Sequence, residues 1–197
     1  PKSANLNVLH KLLRRWGHFH AIPFGLRDRV LRVLYPIGTD FSFKVPFFGH
    51  VYPGNTQSYL DWCVFFYGAY ELPLLTLIGE ILKKMDRPVV LDIGANVGQH
   101  TLYMSSFASS IHAFEPHPDF CRAIAHKVTL NRLSNVSIHN VGLGDNNATL
   151  QYFAPAGHQY NKGTGSFVEG YNTGLEPVEY LQVKKADDYI YSRGLTK

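Results

Sequence analysis

The sequence predicts an α/β fold in which helices flank a parallel sheet. Between residues 89 and 141, three short strands alternate with helices, and the strands are almost continuously apolar, as in sheets that are covered on both faces. Hydrophobic residues make up 45% of the 197 residues and charged residues 17%. This composition is sufficient for a buried core and excludes a largely disordered chain.

The first part of the chain predicts two helices and a β-hairpin. Apolar residues recur at helical spacing over residues 5–16 and 26–34, and Pro36 ends the second run. Phenylalanine and valine then alternate with other residues over 41–52, which predicts a hairpin that turns at Gly49.

The elements of the main domain follow in a regular rhythm. We predict a helix over 72–84, a strand over 89–93, a helix over 97–108, a strand over 111–115, a helix that opens at Pro118 and a strand over 136–141. A small antiparallel β insertion is then predicted from strands over 148–153, 166–168 and 178–183, followed by a short helix over 185–191.

Positive charge is concentrated near the start of the chain. Residues 1–35 hold seven Lys or Arg and one Asp, a net +6, whereas the whole chain has +4, which leaves −2 for the remainder. We therefore divide the chain into a basic N-terminal appendage, residues 1–60, and a main domain, residues 61–197. A nucleic-acid partner would depend on the appendage alone, so we expect none. The arginines of residues 1–35 are interpreted either as a solvated helix face or as a weak contact with an anionic membrane surface.

Composition excludes several other classes. Two cysteines, Cys63 and Cys121, are too few for a disulfide framework or a cysteine-ligated zinc site, and no histidine or carboxylate pattern predicts a metal. No apolar run of about 18 residues predicts a membrane span, and no signal-peptide pattern precedes the appendage. We expect a cytoplasmic protein without a metal, and the sequence leaves its oligomeric state open.

The segment from Val89 to Gly98 carries the chemical information. A strand enters a turn with two glycines four residues apart, and a helix follows. Such a turn brings the backbone close to a ligand, and the start of the helix offers free N–H groups. Glu115 ends the next strand, where a carboxylate can accept hydrogen bonds from both hydroxyls of a ribose. The pattern predicts a nucleoside-binding site.

The same segment discriminates among nucleotide ligands. No Gly-Lys-Ser/Thr follows the turn, which excludes a P-loop, and the G-x-x-x-G spacing differs from the G-x-G-x-x-G of dinucleotide folds. Asp92 would repel a pyrophosphate and favours a cationic ligand such as S-adenosylmethionine. The alternative is that Asp92 caps the helix and that Gly94 only turns the chain.

These residues resemble the FkbM-type methyltransferases, which are class I, S-adenosylmethionine-dependent enzymes. The resemblance rests on the string Leu91-Asp92-Ile93-Gly94-Ala95-Asn96-Val97-Gly98 and on Phe114-Glu115-Pro116 at the end of the second strand. It extends from about residue 70 to residue 188 and leaves residues 1–60 unmatched. It implies a Rossmann-like class I methyltransferase sheet with helices on both faces.

The resemblance also implies the cofactor-binding residues. The backbone of Gly94, Ala95, Asn96 and Gly98 would hold the methionine portion, with Asp92 beneath it. Glu115 would bind the ribose, while Pro116 and the stretch that includes Gly142 and Leu143 would contact the adenine. Tyr70 and Glu71 would close over the cofactor, although Glu71 is equally suited to begin a helix.

The catalytic half of the site is not identified by the sequence. His100 and His117 lie near the motifs, but each is interpreted as a surface or capping residue, and we name no catalytic base. The fourth strand of a class I sheet should follow the helix that matches residues 186–193, where the chain ends. We therefore expect a sheet truncated before that strand, with a minimal half-sheet domain as the alternative.

The function predicted from the sequence is methyl transfer from S-adenosylmethionine to a hydroxyl of a glycan, a lipid-linked sugar or a natural product. The expected partner is accordingly a small-molecule or glycan acceptor. A catalytically silent cofactor-binding module is the first alternative, and an NAD-type oxidoreductase is the second.

Overall fold

The computed structural model describes residues 7–19, 21–155, 165–171 and 173–195. These residues fold as two units, the first ending at Leu72 and the second beginning at Pro73. Among the described helices, no single one is long and apolar enough to cross a membrane. One pair, Tyr59–Tyr67 with Leu72–Leu82, would be long and apolar enough if the two helices were counted together, a criterion of length and composition alone.

The first unit contains the predicted helices and hairpin. Its elements are α1 (Val8–Gly17), α2 (Phe24–Leu34), β1 (Ser42–Phe47), β2 (His50–Asn55) and α3 (Tyr59–Tyr67). Helix α1 begins where the Asn7 side chain accepts the His10 N–H at 2.8 Å, which satisfies one of the free donors of the first turn. Strands β1 and β2 pair antiparallel and turn at Phe48 and Gly49, so the hairpin prediction is confirmed.

Helix α3 is the last helix that lies wholly in the first unit, which ends at Leu72. Six consecutive residues of this helix, 61–66, are buried, so α3 forms the interior of the first unit. The Asp61 carboxylate accepts hydrogen bonds from the Tyr52 hydroxyl at 2.7 Å and the Asn55 N–H at 2.9 Å. These contacts attach α3 to the hairpin and explain why residues 61–72 fold with the appendage. The functional division at residue 60 stays a prediction.

The second unit contains two sheets. Its elements are α4 (Leu72–Leu82), β3 (Val89–Ile93), α5 (Gln99–Met104), β4 (Ser110–Phe114), α6 (Pro118–Leu130), β5 (Val136–His139), β6 (Gly142–Gly144), β7 (Ala148–Pro155), β8 (Leu175–Lys185) and α7 (Ala186–Ser192). Strands β3, β4 and β5 form a parallel sheet in that order, so the predicted α/β fold is confirmed.

The register of the parallel sheet places three strand ends side by side. Ile93 pairs with Phe114, and Phe114 pairs with His139, so the residues that follow each strand emerge at one edge. Ligands of open α/β sheets bind in the crevice beyond this carboxyl edge. The sheet register therefore brings the glycine turn after β3 and Glu115 after β4 to the same place.

Helices cover both faces of the parallel sheet, as predicted. On one face, Ala113 of β4 packs with Ile124 of α6. Neighbouring residues of a strand point to opposite faces, and on the other face the Phe114 ring lies 6.0 Å from the Tyr189 ring of α7. His139 joins this second layer, because its Nδ1 lies 3.3 Å from the Tyr189 hydroxyl oxygen.

The second sheet differs in detail from the predicted insertion. Strand β8 is central, antiparallel to β7 but parallel to β6, so the sheet is mixed and not purely antiparallel. The predicted strand over 136–141 ends at His139, and residues 142–144 pair in this second sheet. The predicted strand over 166–168 is a single bridge, in which Ser166 and Phe153 exchange two hydrogen bonds of 2.9 Å. The sequence also predicts a glycine- and asparagine-rich turn around residues 157–165, most of which lies outside the described residues.

Candidate functional site

The turn between β3 and α5 wraps around the end of β4. The N–H groups of Gly94 and Ala95 both donate to the Phe114 carbonyl oxygen, at 2.9 and 3.0 Å. Gly94, Asn96 and Gly98 have φ angles of 78°, 51° and 80°, in the left-handed region that favours glycine. The first two N–H groups of the turn are therefore already bonded to protein, and the turn presents its open side to a ligand at Gly94, where a Cβ would meet no atom within 4 Å.

Glu115 is the buried acid at this edge, with 6% of its surface exposed. Its Oε2 accepts the Asn96 N–H at 2.8 Å, and its Oε1 accepts the His117 N–H at 2.9 Å. Each carboxylate oxygen has two acceptor sites, so one on each oxygen is left for a ligand. Burial raises the pKa of Glu115, the two backbone N–H groups lower it, and the charge of Asp92 raises it. The carboxylate is thus oriented before any ligand arrives.

Asp92 lies inside the end of β3 and is held by the following helix. The Thr101 hydroxyl of α5 donates a hydrogen bond to Asp92 Oδ2. Burial raises the pKa of Asp92, while Thr101 and the neighbouring His100 lower it. Asp92 supports the turn and adds a negative charge near Glu115, but it does not line the cleft described next.

A cleft of about 230 Å³ opens at the carboxyl edge within the second unit. Six of its lining residues were predicted as cofactor-binding: Gly94, Asn96, Glu115, Pro116, Gly142 and Leu143. The other lining residues are Ile93, Phe114, Phe120, Tyr152, Gly165 and Phe167. Among the residues that the structure describes, no Lys or Arg lines this cleft, so it suits a cationic or neutral ligand better than a phosphate.

The remaining predicted site residues lie elsewhere. Ala95 is buried in the core with Ala113 and Ile124, and Gly98 is the N-cap of α5 against the same isoleucine. Both shape the turn from behind. Tyr70 and Glu71 lie at the end of the first unit, where the Tyr70 ring contacts the Tyr59 ring at 6.0 Å and Glu71 is exposed. Their closure over a cofactor stays a prediction.

Three aromatic residues of the cleft were missed by the sequence analysis. The sequence places Phe120 on one face of the predicted helix with Ile124 and Val128, and Tyr152 lies within the predicted strand over 148–153, but neither pattern indicates that the side chain reaches the glycine turn. Phe167 follows a segment outside the described residues. The pairing of β7 with β8 and the bridge at Ser166 bring Tyr152 and Phe167 to the cleft, and Phe120 reaches it from α6.

His117 has a capping role, as predicted, and a second contact besides. Its Nδ1 accepts the Asp119 N–H at 3.2 Å at the start of α6, and its Nε2 lies 3.0 Å from Glu179 Oε1 of β8. No group of three or more His, Cys, Asp or Glu side chains in the described ranges is placed to hold a metal ion.

No protein-family model matches the chain, so the specific FkbM resemblance is not confirmed. A curated relative, Methyltransferase 1 of Beauveria bassiana (strain ARSEF 2860), is 37% identical over 67 residues, which is 33% of this chain and 27% of the relative. Similar solved structures include M. jannaschii TYW2 in complex with AdoMet, at 14% identity, a TM-score of 0.39, and coverage of 51% of this chain and 43% of that chain. The complex of aTrm5 and tRNALeu is similar at 20% identity, a TM-score of 0.37, and coverage of 52% and 29%.

The comparisons correct one prediction. From the predicted reaction we expected a small-molecule or glycan acceptor, and we expected no nucleic acid because only the appendage is basic. That expectation is wrong, because the similar structures include a protein crystallised with a tRNA.

Proposed function

We propose that the chain is part of an S-adenosylmethionine-dependent methyltransferase, of the EC 2.1.1 type. The observation that carries the proposal is the preoriented Glu115 carboxylate beside the open glycine turn, at the carboxyl edge of a parallel sheet. The nearby Asp92 charge and the lack of a described cationic residue in the cleft favour a sulfonium ligand over a pyrophosphate. The name of the curated relative supports the same reaction class.

Each part of the cleft has a separate task in this proposal. Glu115 accepts hydrogen bonds from the two ribose hydroxyls, at the acceptor sites that the N–H groups of Asn96 and His117 leave free. Gly94, which lacks a side chain, lets the methionine portion pass close to the backbone, and Pro116, Gly142 and Leu143 contact the nucleobase. When bound, S-adenosylmethionine would supply an electrophilic methyl group, which an acceptor atom would attack in line as the carbon–sulfur bond breaks and S-adenosylhomocysteine leaves. The chain contributes mainly orientation and exclusion of water.

The acceptor atom proposed from the sequence, a hydroxyl oxygen, remains a proposal, as does the cytoplasmic location. An oxygen acceptor must lose a proton, which usually requires a general base. Glu115 is the only carboxylate that lines the described cleft, and both of its oxygens are occupied by backbone N–H groups and the proposed ribose. A base would have to come from another part of the protein or from the acceptor.

Calorimetric titration tests the cofactor first. We expect the protein to bind S-adenosylmethionine and S-adenosylhomocysteine and not to bind NAD. Incubation with tritiated S-adenosylmethionine and candidate acceptors, RNA included, then tests transfer. Binding of NAD without binding of S-adenosylhomocysteine would overturn the proposal.

A silent cofactor-binding module is the second candidate, and it is favoured because the described lining of the cleft holds no second carboxylate and no His, Lys or Cys. This module and the enzyme differ in turnover. Binding of S-adenosylhomocysteine without transfer to any acceptor, by a chain that includes its natural flanking sequence, would decide for the module.

Cofactor binding is expected to weaken in mild acid. The folded-state pKa of Glu115 lies above the ordinary 4.5, chiefly because of burial. The ligand-free fold is therefore stabilised by protonation of Glu115, and this contribution is lost as the pH rises through the raised pKa. The two ribose hydroxyls need the ionised Glu115 carboxylate as their hydrogen-bond acceptor. The affinity for S-adenosylhomocysteine therefore falls as the pH drops through the raised pKa of Glu115. Calorimetry from neutral pH downward measures the midpoint.

Asp92→Asn provides the control for this pH dependence. Asp92 contributes to the raised pKa of Glu115 through its charge, so the variant should move the midpoint to lower pH. A midpoint that stays in place, or that rises, would contradict the proposed interaction between the two carboxylates.

A further inference from the structure

Three aromatic side chains from separate segments meet in the cleft. Phe120 belongs to α6, Tyr152 to β7, and Phe167 to the segment that bridges back to β7. The Tyr152 and Phe167 rings contact each other edge to face, with centroids 5.5 Å apart. Flat aromatic faces are suited to stacking with a nucleobase, and the two-ring face of a purine gains more from such stacking than the smaller face of a pyrimidine.

The Tyr152 ring is fixed in position by its neighbours. It is 7% exposed and packs with Ala154 and Leu181 of the second sheet. A Cβ built on Gly165 would lie 2.3 Å from both the Tyr152 hydroxyl oxygen and its Cζ, so the backbone at Gly165 approaches the ring as closely as a glycine allows. A ring held in this way loses little entropy when a ligand packs against it.

The aromatic group lies close to the proposed ribose site. Glu115 and the three aromatic side chains line the same cleft. Burial, followed by the charge of Glu115, raises the pKa of the Tyr152 hydroxyl to about 12. A nucleoside whose ribose is held by Glu115 therefore has its base within reach of these rings.

His117 connects Glu115 to the second sheet. Its N–H donates to Glu115 Oε1, and its ring lies 4.9 Å from the Phe120 ring and 6.1 Å from the Tyr152 ring. Because Nδ1 accepts a backbone N–H, neutral His117 carries its proton on Nε2, which faces Glu179 Oε1 at 3.0 Å. His117, which is 3% exposed, thus links three parts of the site: its backbone N–H holds the carboxylate, and its imidazole contacts the start of α6 and Glu179 of β8.

We propose that Phe120, Tyr152 and Phe167 form the surface that packs against the nucleobase face of the bound nucleoside, and that Tyr152 determines the preference for a purine. This inference rests on the proposed function. It assigns the second sheet to the cofactor site, with His117 and Glu179 as positioning residues.

The test compares Tyr152→Leu with Tyr180→Leu, which removes an exposed tyrosine from the neighbouring strand of the same sheet. Calorimetry measures binding of S-adenosylhomocysteine, adenosine and uridine. We expect Tyr152→Leu to lower the affinity for S-adenosylhomocysteine and for adenosine by roughly 10-fold or more, which is the effect of one lost stacking contact. Tyr180→Leu should bind as wild type does, and Tyr152→Phe, which keeps the ring, should bind within about threefold.

Base selectivity separates this role from a purely structural one. A smaller pyrimidine gains less from the rings, so the wild-type preference for adenosine over uridine should shrink in Tyr152→Leu. If Tyr152 had only a structural role, the variant would bind both nucleosides more weakly by the same factor, and that result would overturn the inference. If Tyr152→Leu does not fold, Phe120→Leu on the partly exposed face of α6 is measured in its place, with the same expectations.

The outcomes distinguish the two proposals. Wild type that binds S-adenosylhomocysteine, together with a Tyr152→Leu variant of unchanged affinity and selectivity, overturns the aromatic surface and leaves the proposed function in place. Wild type that binds neither S-adenosylhomocysteine nor adenosine overturns both.

Discussion

The Glu115→Gln variant should bind S-adenosylhomocysteine roughly 100-fold more weakly than wild type, because two hydroxyl hydrogen bonds to a charged acceptor are weakened together. The substitution keeps the size of the side chain and removes its charge. Both oxygens of the carboxylate accept a hydrogen bond from a backbone N–H group. In the variant, the amide N–H₂ faces one of these two donors and cannot accept its hydrogen bond. The free energy of unfolding should therefore fall by about 1–2 kcal/mol.

Two measurements keep these effects apart. Urea unfolding reports the stability, and calorimetry at a temperature well below the unfolding transition reports the affinity of the folded fraction. Glu176→Gln, an exposed glutamate on β8, is the matched control and should change neither quantity. An unchanged affinity in Glu115→Gln would show that the ribose is held elsewhere.

Gly98→Ala is expected to lower the free energy of unfolding by about 2–5 kcal/mol. Two costs add up. The φ angle of 80° places a Cβ in the left-handed region, at about 1–2 kcal/mol. That Cβ would also lie 2.8 Å from Ile124 Cγ1, in a core site that is 1% exposed, where overpacking costs roughly 1–3 kcal/mol.

Gly94→Ala separates the two costs. Gly94 has nearly the same φ angle, 78°, but a Cβ there meets no atom within 4 Å. We expect a loss of only about 1–2 kcal/mol, from backbone strain alone. Equal losses in the two variants, measured by urea unfolding, would mean that Ile124 moves aside without cost.

The two glycines therefore have different tasks, although the sequence presents them as one motif. Gly98 allows α5 to begin directly against α6, through its contact with Ile124. Gly94 leaves the cleft open in front of the turn. A Cβ at Gly98 is expected to affect stability most, and one at Gly94 is expected to affect ligand affinity as well.

Part of this arrangement is determined by the sequence alone. The strand over 89–93 is predicted with the same bounds that the structure has. The reason is that four apolar residues, interrupted only by Asp92, are followed at once by a glycine turn. Parallel strands place their carboxyl ends at one edge, so the nearness of Gly94 and Glu115 also follows from the order of elements. The charge and spacing of these few residues were enough to propose a nucleoside ligand.

The tertiary structure decided the rest. The sequence offered the N–H groups of the glycine turn as ligand donors, but those of Gly94 and Ala95 bond to Phe114 and that of Asn96 bonds to Glu115. Likewise, Tyr152 reaches the cleft only because β7 pairs with β8, whose residues lie about 30 positions further along the chain. Local periodicity predicts which face of a strand or helix is apolar. It does not predict which distant segment that face meets, because this depends on register and packing between elements far apart in sequence.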